Sequence, residues 1–377
     1  MPIYLDHAAS TPLDPEVFEY MHSYFLDFTG NPSSTHAYGR EQRSAIEDAR
    51  RRLASLLNCK PYEIYFTSGG TEADNTVIQG SVALGIKHII TTRIEHHAVT
   101  HPVEHLEHEE KITATWLSVD RKGHIDLAEL ENALKAHPGS LVCLMHGNNE
   151  IGTLYDLHAI GELCHAYNAR FHSDTVQTIG QIRLNLAEIP VDFITASAHK
   201  FNGPKGTGFL YVRKGVQLPA LISGGGQERE LRAGTENLPG IMGLTFALEK
   251  TYQNIETKQQ TALGFKNYLR DQLAQTFPEV EFNGDPEHSL PNILNVSFPV
   301  EEDLMLLFNL DLGGIAASAG SACNSGALQG SHVLQQIGAS DGAIRNTVRF
   351  SFGMGTTQSD LDEAVSQLKS ILTQHAS

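Results

Sequence analysis

Six short apolar runs, five of them closing on polar residues, constrain this chain more than any other feature. Segments 63–68 (EIYFTS), 88–92 (HIITT), 141–146 (LVCLMH), 169–174 (ARFHSD), 192–197 (DFITAS) and 208–212 (GFLYV) have the length and apolar continuity of buried strands. The stretches 71–84, 97–110, 126–137 and 156–167 between them carry the wider spacing of helices. Parallel neighbours need a crossover, usually a helix, so the alternation predicts an α/β domain built on a mainly parallel sheet flanked by helices. A long polar, helix-prone stretch at 250–277, the run LPNILNVSF and a last helix at 359–373 predict a smaller α+β domain. The expected division is a large domain over 14–250 and a small one made of 1–13 with 251–377.

Ligands of such sheets bind at the carboxyl ends of the strands. Five strand ends here are followed by polar groups: TSGGTEADN, RIEHHA, HGNNEIG, HSDTVQ and SAHK. That pattern predicts one crevice. In SGGTEADN, two glycines and a hydroxyl open a helix, which suits a phosphate, although Thr71 could be an ordinary N-cap. The P-loop and dinucleotide glycine patterns are both missing. Asp174 at a strand end, with Gln177 beyond it, could cap a helix or pair with a heterocyclic nitrogen such as a pyridinium. Lys200 closes a buried strand, where desolvation lowers an amine's pKa towards nucleophilic chemistry. Lys205, in the glycine-rich turn past that strand, is the competitor.

Cys323 lies in SAGSACNSGALQG, residues 318–330, where small and turn-forming residues predict an exposed loop and an available thiol. The other cysteines, Cys59, Cys143 and Cys164, read as packing or surface residues. No C-x-x-C spacing occurs, which excludes a zinc ribbon or a disulfide framework and fits a reducing compartment. A net charge of −17 argues against general nucleic-acid or anionic-membrane binding. The opening MPIYLDHAAS has no leader pattern and no apolar run reaches spanning length, so a cytoplasmic protein is expected. His97, His101 and His105 recur every four residues and could hold a metal. A solvated helix face is the preferred reading, because Pro102 is expected to break the helix there.

Together, YLDHAASTP, NPSSTHAYG, FTSGGTEADN, IEHHAV, NNEIG, HSDTVQ, SAHKFNGPKGTGFLYV, GGGQERELRAGTEN, LPNILNVSF, SAGSACNSG and VRFSFG give nearly the whole chain a resemblance. It resembles the pyridoxal-phosphate-dependent cysteine desulfurases of the aminotransferase class V family, fold type I, in the subgroup with a longer flexible cysteine loop. The resemblance implies that Lys200 binds pyridoxal 5'-phosphate covalently, that Asp174 holds the pyridinium nitrogen and that Gln177 bonds the phenolic oxygen. Gly70, Thr71, Ser197 and His199 would bind the phosphate, with Thr235 reaching it from a second subunit of a homodimer. His96 would stack on the ring and manage the thiol proton. Asn149 would lie beside cofactor and substrate, Arg349 would clamp the carboxylate of L-cysteine, and Asn31 would shape the substrate mouth. Cys323 would take the sulfur as a persulfide for a sulfur-acceptor protein in iron–sulfur cluster assembly or transfer-RNA thiolation.

Two departures bear on this. HSDT replaces the family's usual His-Val-Asp-Ala but keeps the acid. The sequence stops at LTQHAS, without the longer tail by which housekeeping members dock their scaffold, which puts the usual acceptor in doubt. Alternatives are a selenocysteine lyase or other class V chemistry, which Cys323 disfavours, and a non-catalytic binding subunit, which would be free to lose these residues.

Overall fold

The computed structural model describes residues 2–320 and 330–374. Its strands, in chain order, begin with β1 (Ile3–Tyr4), β2 (Ile64–Thr67), β3 (His88–Thr92), β4 (Thr113–Leu117), β5 (Leu141–Cys143) and β6 (Arg170–Asp174). They continue with β7 (Phe193–Ser197), β8 (Gly208–Val212), β9 (Glu281–Asn283), β10 (Ile293–Ser297), β11 (Ile315–Ala316) and β12 (Thr347–Ser351). Seven form one sheet in the order β2-β8-β7-β6-β5-β3-β4. Neighbours from β7 to β4 are parallel, whereas β8 runs antiparallel to both β7 and β2. The expected mainly parallel sheet is therefore present, with β2 returned to the common direction by β8.

Both faces of the sheet are covered, which is why its strands read as continuous apolar runs. Along β5 and just past it, Val142 and Leu144 join one apolar cluster with Phe171, Ile194 and the helices Ala37–Leu56 and Leu238–Gln253. Leu141 and Cys143 point to the other, with Val77, Val99 and Phe193. A separate cluster holds Leu5, Leu269, Val296, Phe350 and Leu368. It packs the antiparallel sheet β12-β10-β9 against helices Ile255–Thr276 and Gln358–Gln374.

Several expectations need correction. Edge strand β4 and helices Pro15–Leu26, Ala37–Leu56 and Leu238–Gln253 were not expected. The run expected as one helix at 250–277 breaks at Asn254, whose φ of −124° and ψ of 20° are not helical. Pro102 does not break its helix. It sits inside His97–His108, costing one backbone hydrogen bond near the start while Ala98, Val99, Val103 and Leu106 remain buried along the apolar face.

Candidate active site

Helix Gly70–Ala83 begins directly after β2, and its N-cap is Gly69 rather than Thr71. A glycine cap has no side chain to accept from the first turn, so backbone N–H groups are left to a ligand. Gly70 has no substitute here: a Cβ would come within 2.5 Å of Val176 Cγ2. Glu72, in the same turn, also lines the cavity and is held by Arg232 at 3.0 Å while accepting from Ser68 N–H. Ser197, His199 and Lys205 line this end of the cavity.

That cavity has a volume of about 470 Å³ and gathers side chains from five strand ends. Gly70, Thr71, His96, Asn149, Asp174, Gln177, Ser197, His199, Lys200 and Arg349 all line it. The one crevice read from the strand ends is this cavity. Lys200, on a short 3-10 turn after β7, donates from Nζ to the carbonyls of Ala8 and Ala9 at 2.5 and 3.0 Å. Lys205 reaches the same space from an exposed turn.

Asp174 closes β6, buried, with Oδ1 accepting from Val176 N–H at 2.8 Å. This is a local turn, not the cap of a helix. Burial, reinforced by the nearby carboxylate of Asp74, raises its pKa to about 7. Such a group is completed by a cation. Gln177 donates from Nε2 to Ala8 O at 2.9 Å, leaving its second N–H for another acceptor.

His96 is the N-cap of helix His97–His108: its Nδ1 accepts from Ala98 N–H at 3.1 Å. Burial, then the charge of Lys200, lowers its pKa to about 4, so the ring is neutral at pH 7. With Nδ1 accepting, the proton sits on Nε2. Arg349 is 1% exposed and comes from β12. Its Nη1 donates to Asn149 O at 2.7 Å and its Nη2 to Asp6 Oδ1 at 2.8 Å, while its buried Nε has no partner among the described residues. A carboxylate is the group that would complete it.

Asn31 and Thr235 are not brought into the cavity; both are exposed. Thr235 lines a smaller cavity of about 200 Å³ behind Ser68 and Gly206. Cys323 lies outside the described residues. No group of three or more potential metal ligands is assembled among the described residues; His97 stacks on His101 with ring centroids 4.4 Å apart.

Asp6 and Asp74 were missed by the sequence reading. Asp74 lines the cavity, 1% exposed, and accepts from Thr195 Oγ1 at 2.8 Å. A signal existed, since it falls on the apolar face of its helix with Ala73 and Val77. Asp6 carries no such signal.

Residues 3–364 match the family described as aminotransferase class-V. The chain belongs to that family. Among class V proteins it is 42% identical to the protein named cysteine desulfurase IscS of Dictyoglomus turgidum, over 98% of this chain and 94% of that one. A solved structure titled NifS-like protein superposes with a TM-score of 0.92 at 34% identity, covering 99% of this chain and 100% of its own. Another, titled SspA in complex with cysteine, gives 0.79 at 32% identity over 93% and 98%. The fold type I expectation and the cysteine desulfurase resemblance are both borne out.

Proposed function

We propose that this chain is a pyridoxal-phosphate-dependent cysteine desulfurase, on the observation that one cavity gathers Lys200, Asp174, His96 and Arg349 in a chain whose relatives carry that name. The donor set fits the cofactor. An uncapped helix start and His199 suit a phosphate, the buried carboxylate of Asp174 suits a protonated ring nitrogen, and the Lys200 amine suits an aldehyde. When bound, the group supplies that aldehyde and a conjugated ring able to take up electrons from the substrate's Cα.

The chain's own residues then have distinct tasks. Gly70, Thr71, Ser197 and His199 hold the phosphate end, Asp174 keeps the ring nitrogen protonated, and Gln177 and Asn149 orient the ring. Arg349 fixes the carboxylate of L-cysteine through Nε, which has no partner among the described residues. Lys200 Nζ takes the Cα proton. His96, neutral with its proton on Nε2, presents that N–H to the cavity as a hydrogen-bond donor. Cys323 attacks the substrate sulfur: the carbon–sulfur bond breaks, its electron pair stays with the carbon skeleton, and a sulfur–sulfur bond forms. L-cysteine and the Cys323 thiol thus become L-alanine and a Cys323 persulfide. The described cysteines are unsuited to this step. Burial raises the Cys59 and Cys164 thiols to about 12, and Cys143 well above its usual value, so all three stay protonated.

The proposal includes a homodimer in which Thr235, and Asn31 at the substrate mouth, act at the site of the other copy. Their exposure in one chain supports this, and light scattering giving only a monomer would count against it. It also includes the division into 14–250 and 1–13 with 251–377, supported by the separate apolar clusters. The acceptor is a scaffold or sulfur-carrier protein of iron–sulfur cluster assembly or transfer-RNA thiolation, in the cytoplasm. No helix among the described residues is long and apolar enough to cross a membrane.

The test is alanine release from L-cysteine with a thiol reductant, combined with borohydride reduction and peptide mapping. The account expects alanine and sulfide in equal amounts and a pyridoxyl group on Lys200. No alanine, or a pyridoxyl group on Lys205, contradicts it.

A further inference from the structure

A second cavity, as large as the first at about 470 Å³, opens where two of the apolar clusters meet. Val17 and Ala247, from the cluster on one face of the seven-stranded sheet, form one side. Phe352 and Phe265, from the cluster around the antiparallel sheet, form the other. None of the described residues lines both cavities.

Two lysines line this second cavity, and they differ in how their charge is met. Lys250 is neutralised: its Nζ lies 2.8 Å from Asp14 Oδ2 and 2.9 Å from Glu16 Oε1. Lys258, on helix Ile255–Thr276, has no such acid beside it among the described residues. Its Nζ donates one long hydrogen bond, to Gly180 O at 3.4 Å. Burial lowers its pKa to about 8, which still leaves it charged at pH 7. An ammonium partly withdrawn from water without a counter-charge is costly, and a bound anion relieves that cost.

The neighbouring wall needs the opposite kind of group. Gln181 also lines the cavity and is 4% exposed, with its backbone carbonyl accepting from Gln259 Nε2 at 2.6 Å. Its side-chain Oε1 is buried and has no partner among the described residues. An N–H or O–H completes such an oxygen. Close to an unpaired cation the donor is better neutral, which favours a hydroxyl over an ammonium. Phe265 and Phe352 supply an apolar surface for the remainder of a ligand.

We propose that this cavity is a second ligand site, taking a small organic hydroxy acid with an apolar group. The carboxylate pairs with Lys258, the hydroxyl donates to Gln181 Oε1, and the apolar group lies against Phe265 and Phe352. The inference does not depend on the desulfurase reading, because no residue of that site takes part.

The test titrates L-phenyllactate into the holoenzyme by calorimetry; lacking an amine, the probe does not mimic the reacting group of an amino acid. Expected is one site per chain with a Kd on the order of 1 mM, as befits about a dozen non-hydrogen atoms. Lys258→Gln should weaken binding roughly tenfold or more, and Lys258→Arg, which keeps the charge, by no more than about threefold. On L-cysteine, kcat/KM of Lys258→Gln should stay within about twofold of wild type. Arg349→Lys should bind the probe as the wild-type chain does. Absence of binding, or undiminished binding by Lys258→Gln, overturns the proposal. So does loss of binding in Arg349→Lys, which would put the probe in the first cavity, or loss of activity in Lys258→Gln, which would deny the second site its independence.

Discussion

Arg349 donates through Nη2 to Asp6 Oδ1 at 2.8 Å, a pair 343 positions apart in sequence that joins β12 to the start of the chain. The contact keeps the guanidinium from turning, and its Nε has no partner among the described residues in the cavity wall. Arg349→Lys should raise KM for L-cysteine roughly ten- to hundredfold, since a point charge cannot replace a planar fork. Asp6→Asn should cost about 3 kcal/mol of stability by leaving a buried charge without its partner. Steady-state kinetics and chemical denaturation read the two effects. An unchanged KM in Arg349→Lys would remove Arg349 from substrate recognition.

Asp174 sets stability against function. Burial, then the neighbouring Asp74, raises it from the usual 3.8 to about 7. Its contribution to stability is full below the lower value and is lost as pH rises through about 7, because there the folded chain must bury a charge. Cofactor-free Asp174→Asn, whose amide oxygen can still accept from Val176 N–H, should be more stable than the wild-type chain at pH 8 by on the order of 2 kcal/mol. The difference should vanish near pH 4, and the variant should be inactive when loaded. Urea denaturation of the two apo proteins decides it. Lower stability of the variant at pH 8 would contradict the assignment.

Gly70 and Val176 form the third test. A Cβ at Gly70 would meet Val176 Cγ2 at 2.5 Å, so the phosphate end of the cavity tolerates no methyl group there. Gly70→Ala should weaken cofactor retention about tenfold through overpacking of about 1–3 kcal/mol. Adding Val176→Ala removes the clashing methyl and should restore most of the loss. Cofactor dissociation rates, followed by absorbance, show the rescue or its absence.

The ends of the parallel strands were the legible part of this site. Asp174, Lys200 and Gly70 each follow an apolar run whose own pattern announces a strand end. Edge strand β4 was less legible because its residues Thr113 to Trp116 are only partly buried or exposed, which dilutes the apolar run. Helix Leu238–Gln253 carries Gly240 and Gly243 in its body, residues of low helix propensity that close packing requires. At Gly243 a Cβ would run into the side chain of Met21.

The acids behind the site were hidden for a different reason. Asp6 and Glu95 owe their roles to partners far along the chain: Glu95 accepts from Met145 N–H at 2.9 Å across 50 positions. Such pairings are made by topology, and no local pattern separates these acids from solvated ones. Thr235 and Asn31 are legible only by resemblance, because a single chain leaves both exposed.

The central claim is that sulfur passes from L-cysteine to Cys323, and one measurement tests it most directly. The purified enzyme is exposed briefly to L-cysteine without reductant, then digested, and its peptides are weighed. The account predicts a gain of about 32 Da, one sulfur atom, on the peptide containing Cys323, because covalent transfer leaves a persulfide there. Cys323→Ser should show no gain at that peptide and no alanine from L-cysteine. A persulfide on Cys59, Cys143 or Cys164 instead, or normal alanine release by Cys323→Ser, would contradict it.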